Sequence, residues 1–388
     1  MSVRKRKWTT RRGDEKEAWV VNYTDQQGRR VLKTFRTKKL ADNYAADSHI
    51  EVREGTHVAD SASVTVKEAG DLWLESAEAA QLERTTLEQY RQHLRLHIEP
   101  IIGRTKLSQL NAPTIRAFED RLRKGNETKK KCSPTMIRYV VRSLGALLAD
   151  AQERGTIVRN PVRELRTRRG KDRHEDRHNG KLKVGVDIPT PDEIKRIIHA
   201  AKGHWRPLLL TAIFCGLRAS ELRGLRWSDV DLTKSELHVR QRADRFNKIG
   251  PPKTNAGERT VPLPPMVVNT LREWKLKCPK KDGKLWLCFP NGEGNVEWHT
   301  NLVLRGLQPT LVRAAVVNAK GEAKYTGMHA LRHFYASWCA SIGMTMKAVQ
   351  TRMGHSNIAV TMDTYTHIFP DAADDTEKLA TAERALMT

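Results

Sequence analysis

The apolar periodicity of this chain is interrupted at one long stretch. Residues 159–183 hold ten Lys and Arg and four Asp and Glu with scarcely an apolar side chain, and they close on Asn179-Gly180. Such a segment has nothing to bury and reads as a linker, so one core cannot serve all 388 residues. At roughly 150 residues per domain, two or three domains are expected. A shorter polar stretch, Ala59-Asp60-Ser61-Ala62-Ser63, marks another break upstream. The expected organisation is 1–60, 64–155, a basic linker at 156–185, and 186–388.

Each block carries its own pattern. A basic arm leads into Ala18 to Tyr23, a turn at Asp25-Gln26-Gln27-Gly28 and the alternating run Arg29 to Phe35, which signals a hairpin. Thr37 then caps a helix over Lys38 to Arg53. From Val64 to about Gly155 the period is helical, over 66–76, 85–98, 112–123 and 134–154, with Pro100, Gly103 and Pro113 as breaks. The last block opens with a capped helix at Thr190-Pro191-Asp192-Glu193. It predicts helices at 191–201, 204–215 and 219–224, paired strands at 236–242 and 258–263, a helix at 265–277, a strand at 285–289 and a helical tail over 308–385. The fold class is therefore mainly α with small β elements, an α+β chain: a sheet-plus-helix module, a helical bundle, and a mostly helical domain with a β-hairpin.

Charge narrows the partner. With 69 Lys and Arg against 45 Asp and Glu, the formal charge is +24, which self-repels unless a polyanion binds. A nucleic-acid backbone is the commonest such partner in a cell. No apolar run approaches the roughly 18–20 residues that span a bilayer, and the six basic residues of Met1 to Arg12 precede no apolar stretch, so membrane insertion and secretion are not expected. Five scattered cysteines without a Cys-x-x-Cys pair suggest neither a disulfide framework nor a zinc site, and fit a reducing cytosol. His174-Glu175-Asp176-Arg177-His178 matches a zinc-protease pattern, but inside the charged linker it lacks the rigid helix that holds two imidazoles on one side. Phosphate-loop and dinucleotide glycine patterns are absent. No metal, nucleotide or other cofactor is expected.

The chemistry concentrates in the last block. Gly216-Leu217-Arg218-Ala219-Ser220-Glu221-Leu222 puts a guanidinium where an apolar helix turns into a short new one; Arg218 either pairs with Glu221 or grips an anion. His329-Ala330-Leu331-Arg332-His333 opens a helix on which His329 and Arg332, at i and i+3, share a face. That spacing suits either a surface ion pair or a two-point grip on one anion. Met353-Gly354-His355 places His355 in a turn after a glycine stop, and Tyr365 closes the helix that follows. A lone tyrosine near a helix end is usually packing, but these residues in this order are not independent.

Together they resemble the tyrosine recombinases, and within them the phage-type integrases. The family pattern is an Arg in G-L-R-x-x-E-L, a Lys in a β-hairpin, H-x-x-R, G-H/W, and a Tyr about ten residues later. Its positions fall here on Arg218, Lys253, His329, Arg332, His355 and Tyr365. Lys248 competes with Lys253, but Thr254 and the strand Arg259-Thr260-Val261-Pro262-Leu263 favour the latter. The likeness is strong over 186–370; the bundle is similar to the family's core-binding domain and the N-terminal module to its arm-binding domain.

The resemblance implies a site-specific DNA recombinase that cuts and rejoins strands through a 3′-phosphotyrosine, integrating or excising a prophage or genomic island. Tyr365 would be the nucleophile, Arg218 and Arg332 forks on the phosphate oxygens, His355 a further donor, His329 the general base and Lys253 the acid for the leaving 5′-oxygen. It also implies a homo-tetramer on double-stranded DNA with core and arm sites, a directionality factor, a host DNA-bending protein, and a nucleoid location in a bacterial cytoplasm. Asp371 to Met387 reads as a helix, and the resemblance implies that it packs on a neighbouring protomer. A cellular resolvase or a type IB topoisomerase would share the chemistry, but the N-terminal module speaks against both. A DNA-binding regulator without catalysis would have no need of Tyr365.

Overall fold

The computed structural model describes residues 1–9, 15–24, 28–53, 63–125, 131–165, 182–280 and 285–365. The chain forms two compact units, 1–169 and 170–388. His174 to His178, most of the basic linker and the expected C-terminal helix at 371–387 lie outside the described residues. Among those described, no helix is long and apolar enough to cross a membrane.

The first unit contains two separate apolar cores. Strands β1 (Ser2–Thr9), β2 (Glu15–Thr24) and β3 (Arg30–Phe35) form an antiparallel sheet in that order, followed by α1 (Lys38–Arg53). The segment read as a basic arm is thus in part an edge strand, paired from Ser2↔Asn22 to Thr9↔Glu15. Backbone pairing does not need the apolar alternation that this strand lacks. The small core consists of Val21, Tyr23 and Ala41.

The bundle comprises α2 (Val66–Ala79), α3 (Arg84–His93), α4 (Ala112–Lys124) and α5 (Pro134–Glu153) around Trp73, Ile98, Phe118, Leu144 and Leu147. Its starts are encoded locally. Thr65 and Glu68 form a reciprocal capping box, and Asn111 and Ser133 cap helices that have Pro in the first turn. Pro100 does not end α3 as expected. A wide π-type turn over Leu94–Ile98 leads into a further helical turn, Glu99–Ile102; such a turn sits just where Pro100 supplies no N–H.

The second unit opens with α6 (Pro191–Ala200), capped by the Thr190–Glu193 box, then α7 (Trp205–Cys215) and α8 (Ala219–Gly224). Nearly every residue of α7 is buried, making it the axis of the large core. Strands β4 (Val230–Asp231), β5 (Glu236–Val239) and β8 (Arg259–Pro262) form one antiparallel sheet, and β6 (Arg242–Ala243) with β7 (Ile249–Gly250) forms a small hairpin between β5 and β8. Then come α9 (Pro265–Lys277), α10 (Gln308–Arg313), α11 (His329–Ser341), α12 (Met346–Met353) and α13 (Ile358–Tyr365).

The expected strand at 285–289 is absent. Leu287, Cys288 and Phe289 are buried, but the segment makes only an isolated bridge, Arg226↔Leu287, with single bonds such as Cys288 N–H to the Leu225 carbonyl. A short apolar run does not distinguish a strand from buried irregular chain. The tail is likewise not helical throughout, since Val317↔Ala323 closes a non-helical turn ahead of α11. The α+β reading of the whole holds.

Candidate active site

Two left-handed glycines shape the site. Gly216 (φ 61°) ends α7, and a Cβ there would lie 2.2 Å from the Tyr335 ring. Gly354 (φ 63°) ends α12, where a Cβ would meet Arg259 Nη1 at 2.8 Å and the Ala256 carbonyl at 3.0 Å. Only glycine fits a positive φ and so close an approach. These turns aim two backbone carbonyls at the arginines. Gly216 O accepts from Arg332 Nη1, and Gly354 O accepts from Arg218 Nη2 at 3.0 Å.

Arg218 is the N-cap of α8, and the expected pairing with Glu221 is present. Its Nη1 donates to Glu221 Oε1 at 2.7 Å and its backbone N–H to Glu221 Oε2 at 2.8 Å, while its side chain stays one-third exposed. The same carboxylate receives Arg259 Nη2 at 2.8 Å and Nη1 at 3.2 Å. Glu221 and Arg259 are almost wholly buried, with side-chain exposures of 2% and 3%. Burial alone would raise the Glu221 pKa; the Arg259 hydrogen bonds and the charges of Arg259, Arg332 and Arg218 outweigh it and hold the carboxyl at about 2. Arg259 also donates to the carbonyls of Arg352 and Gly257, at 2.6 and 2.9 Å, which ties β8 to the end of α12.

Arg332, 4% exposed, donates from Nη2 to the Met353 carbonyl and lies 3.2 Å from His355 Nε2. Burial and then the neighbouring Arg218 charge bring its pKa down to about 9. A guanidinium has no acceptor, so His355 must receive that bond at Nε2 and carry its proton on Nδ1, which faces Thr361 Oγ1 at 2.8 Å. Burial, reinforced by Arg332, Arg218 and Arg259, depresses the His355 pKa to about 4. In this arrangement His355 is neutral, with both ring nitrogens engaged, rather than offering a spare donor.

Tyr365 closes α13 inside a small core of Tyr335, Ala336, Cys339, Val349 and Met353, and is 2% exposed. Its hydroxyl lies 2.7 Å from Nδ1 of His333. The expected base, His329, lies one helical turn earlier, with its ring 5.9 Å from that of His333. Burial followed by the Arg332 and Arg218 charges lowers the His329 pKa. Lys253 is exposed in the connection from β7 to β8; that loop folds back through Pro252 onto Gly257 and reaches Gly354 through Ala256.

Of the six residues named from the sequence, the fold gathers Arg218, His329, Arg332, His355 and Tyr365 at the ends of α8, α11, α12 and α13, and leaves Lys253 exposed in the loop between β7 and β8. Sequence reasoning missed two groups. Arg259 occupies an inward position of β8, alternating with exposed Thr260 and sharing its face with Val261; a cation at a core position of a strand was the available signal. His333 was quoted without a role, and the arithmetic of i+4 from His329 offered the only hint. Among the described residues no cluster of His, Cys, Asp and Glu is arranged to hold a metal.

The sequence pattern of the phage integrase family matches residues 189–371, and that of the phage integrase N-terminal SAM-like domain matches 65–123. The chain belongs to the phage integrase family. It is 29% identical to a XerC-like tyrosine recombinase of Caldanaerobacter subterraneus across 92% of this chain and 93% of that protein. Identity to the prophage integrase IntR of Escherichia coli is 25%, across 80% of this chain and 78% of that one. Its fold is similar to that of the Tn1549 transposon integrase, solved with transposon right end DNA (TM-score 0.65, 21% identity, 83% of this chain and all of that one). A lambda integrase tetramer on a Holliday junction also shares it (TM-score 0.57, 17% identity, 94% and 95% covered). The chain is a tyrosine recombinase, and its site can be read in those terms.

Proposed function

We propose that this chain cuts and rejoins duplex DNA at specific sites by attack of Tyr365 on a phosphodiester, leaving a 3′-phosphotyrosine and a free 5′-hydroxyl. The observation that carries the reading is the charge at the site. Two guanidiniums, Arg218 and Arg259, bond one carboxylate, Glu221, and the charge of a third, Arg332, acts on it, while the low pKa values of His333 and His355 leave those imidazoles neutral. The cluster is left doubly positive. A phenolate added to a phosphodiester monoanion is doubly negative, so the site is charge-matched to the pentacoordinate state rather than to the resting diester.

On this reading Arg218 and Arg332 donate to the non-bridging oxygens, since buried Arg259 directs four of its five N–H donors to Glu221 and two carbonyls. His329, beside Arg332, serves the phosphate rather than the nucleophile, and His355 sets the Arg332 fork. Lys253 protonates the departing 5′-oxygen from its loop. The phosphotyrosine conserves the energy of the broken bond, so rejoining to another strand requires no nucleotide hydrolysis.

The wider reading follows the relatives. The bundle and the catalytic unit grip the core site through their surplus positive charge, and the N-terminal sheet contacts a separate arm site. Four copies act on paired sites in the bacterial nucleoid, assisted by a directionality factor and a DNA-bending protein, to move a prophage or similar element. The test is covalent capture on a nicked duplex. Native protein should become linked to the labelled strand in the presence of a chelator, and Tyr365→Phe should not. An adduct formed by the Phe variant would end this assignment.

A further inference from the structure

The reaction needs an acceptor for the Tyr365 proton, and the fold supplies one that the recombinase pattern does not name. We propose that His333 is the catalytic base: Nδ1 of its neutral imidazole takes the hydroxyl proton of Tyr365 as the phenol attacks phosphorus. The inference rests on the recombinase reading of Tyr365 and adds to it.

Four observations converge. The Nδ1 to hydroxyl separation of 2.7 Å is already that of a strong hydrogen bond. A phenol is a better donor than a neutral imidazole N–H, so the O–H donates to Nδ1 and His333 carries its own proton on Nε2. The separation is built in rather than accidental. His333 stands on α11 between the anchored Arg332 and buried Phe334, and Tyr365 is packed against Tyr335, Ala336 and Cys339 of that helix. Of the other imidazoles, His355 spans Arg332 and Thr361, and His329 stands one helical turn away, its ring 5.9 Å from that of His333. Finally, Tyr365 is too buried for bulk water to serve.

The step balances. The Tyr365 O–H bond breaks, its proton passes to Nδ1, the phenolate oxygen bonds to phosphorus, and the bond from phosphorus to the 5′-oxygen breaks. That oxygen takes a proton from the Lys253 ammonium. Religation runs the two transfers backwards and restores both groups.

At rest the pair is held against transfer. Burial, then His329 and Arg332, keep His333 down at about 4, with only Asp187 opposing; burial pushes Tyr365 up to about 12, with Arg332 opposing. A phosphate arriving on Arg218 and Arg332 reduces the positive field on both groups. That favours the imidazolium but also withdraws the Arg332 charge that favours the phenolate, so the transfer is completed only as the phenolate oxygen bonds to phosphorus.

The experiment measures single-turnover cleavage of a nicked duplex, chosen from a random-sequence pool by covalent capture on native protein, between pH 3.5 and 9, a range that includes the resting His333 value of about 4. His333→Asn and His333→Gln keep a hydrogen-bonding group but cannot hold the proton. Each should cleave about 100-fold or more slowly, the usual worth of a general base, and should lose the low-pH limb of the native profile. Incorporating 3-fluorotyrosine at 365, a more acidic phenol, should recover at least about 10-fold in the variants and less in the native protein. Thermal melting and duplex binding identify which variant remains folded, and one suffices. A folded variant within about 3-fold of native, an unchanged pH limb, or no gain from the fluorinated tyrosine would each overturn the role of His333. Native protein that forms no adduct would instead remove the recombinase reading, and this inference with it.

Discussion

Glu221 is the buried anion on which the arginine cluster depends, and replacing it with Gln tests that dependence quantitatively. Its carboxyl is held at about 2 against an ordinary 4.5, a difference worth about 3 kcal/mol of folding stability at neutral pH. Because the folded pKa is the lower one, this stability is complete above the unfolded value and is lost as pH falls toward 2. Glu221→Gln should therefore unfold about 3 kcal/mol more easily at pH 7, and the gap to native should shrink by about 2 kcal/mol by pH 3. That is the low end of what breaking a buried pair costs, since the amide can still accept one bond. Urea unfolding followed by tryptophan fluorescence is suited to the measurement, because six of the nine tryptophans lie in the 170–388 unit. A variant within about 1 kcal/mol of native at pH 7, or a gap that does not change with pH, would contradict the electrostatic role assigned to Glu221.

Other consequences are open to the same kind of measurement. Gly216→Ala places a Cβ 2.2 Å from Tyr335 at a positive φ, and should lower stability by at least about 2 kcal/mol through strain and overpacking, read as a fall in melting temperature. Arg259→Lys loses the fork on Glu221 while keeping a charge; adduct formation should fall by about 10- to 100-fold with duplex affinity nearly unchanged, because Arg218 loses its support rather than the site its field. A proportional loss of binding would count against that division. Deleting residues 1–60 should abolish recombination that requires an arm site and spare covalent cleavage of a core site; loss of cleavage would place the N-terminal sheet in a different role.

The parts of the site legible in the sequence were those fixed by short-range rules. Glu221 lies three residues after Arg218 at a helix start, so their pairing follows from helical geometry, and Gly354 before His355 announces a left-handed stop. The α+β class came from helical periods broken by Pro and Gly and by one alternating strand pair. What was not legible came from long-range packing. Arg259 meets Glu221 across 38 residues, and His333 meets Tyr365 across 32, through contacts that no local spacing encodes. Residues 285–289 misled because an apolar run reports burial and not strand pairing. Ser2–Thr9 misled in the other direction: its lysines and arginines hid a backbone that pairs with β2.

The most direct measurement of the central claim is mass spectrometry of the trapped covalent complex. After nuclease and protease digestion, the account predicts a nucleotide joined through its 3′-phosphate to the peptide that contains Tyr365, and to no other residue. A 5′-linkage, or a modified Ser, His or other Tyr with Tyr365 intact, would contradict it.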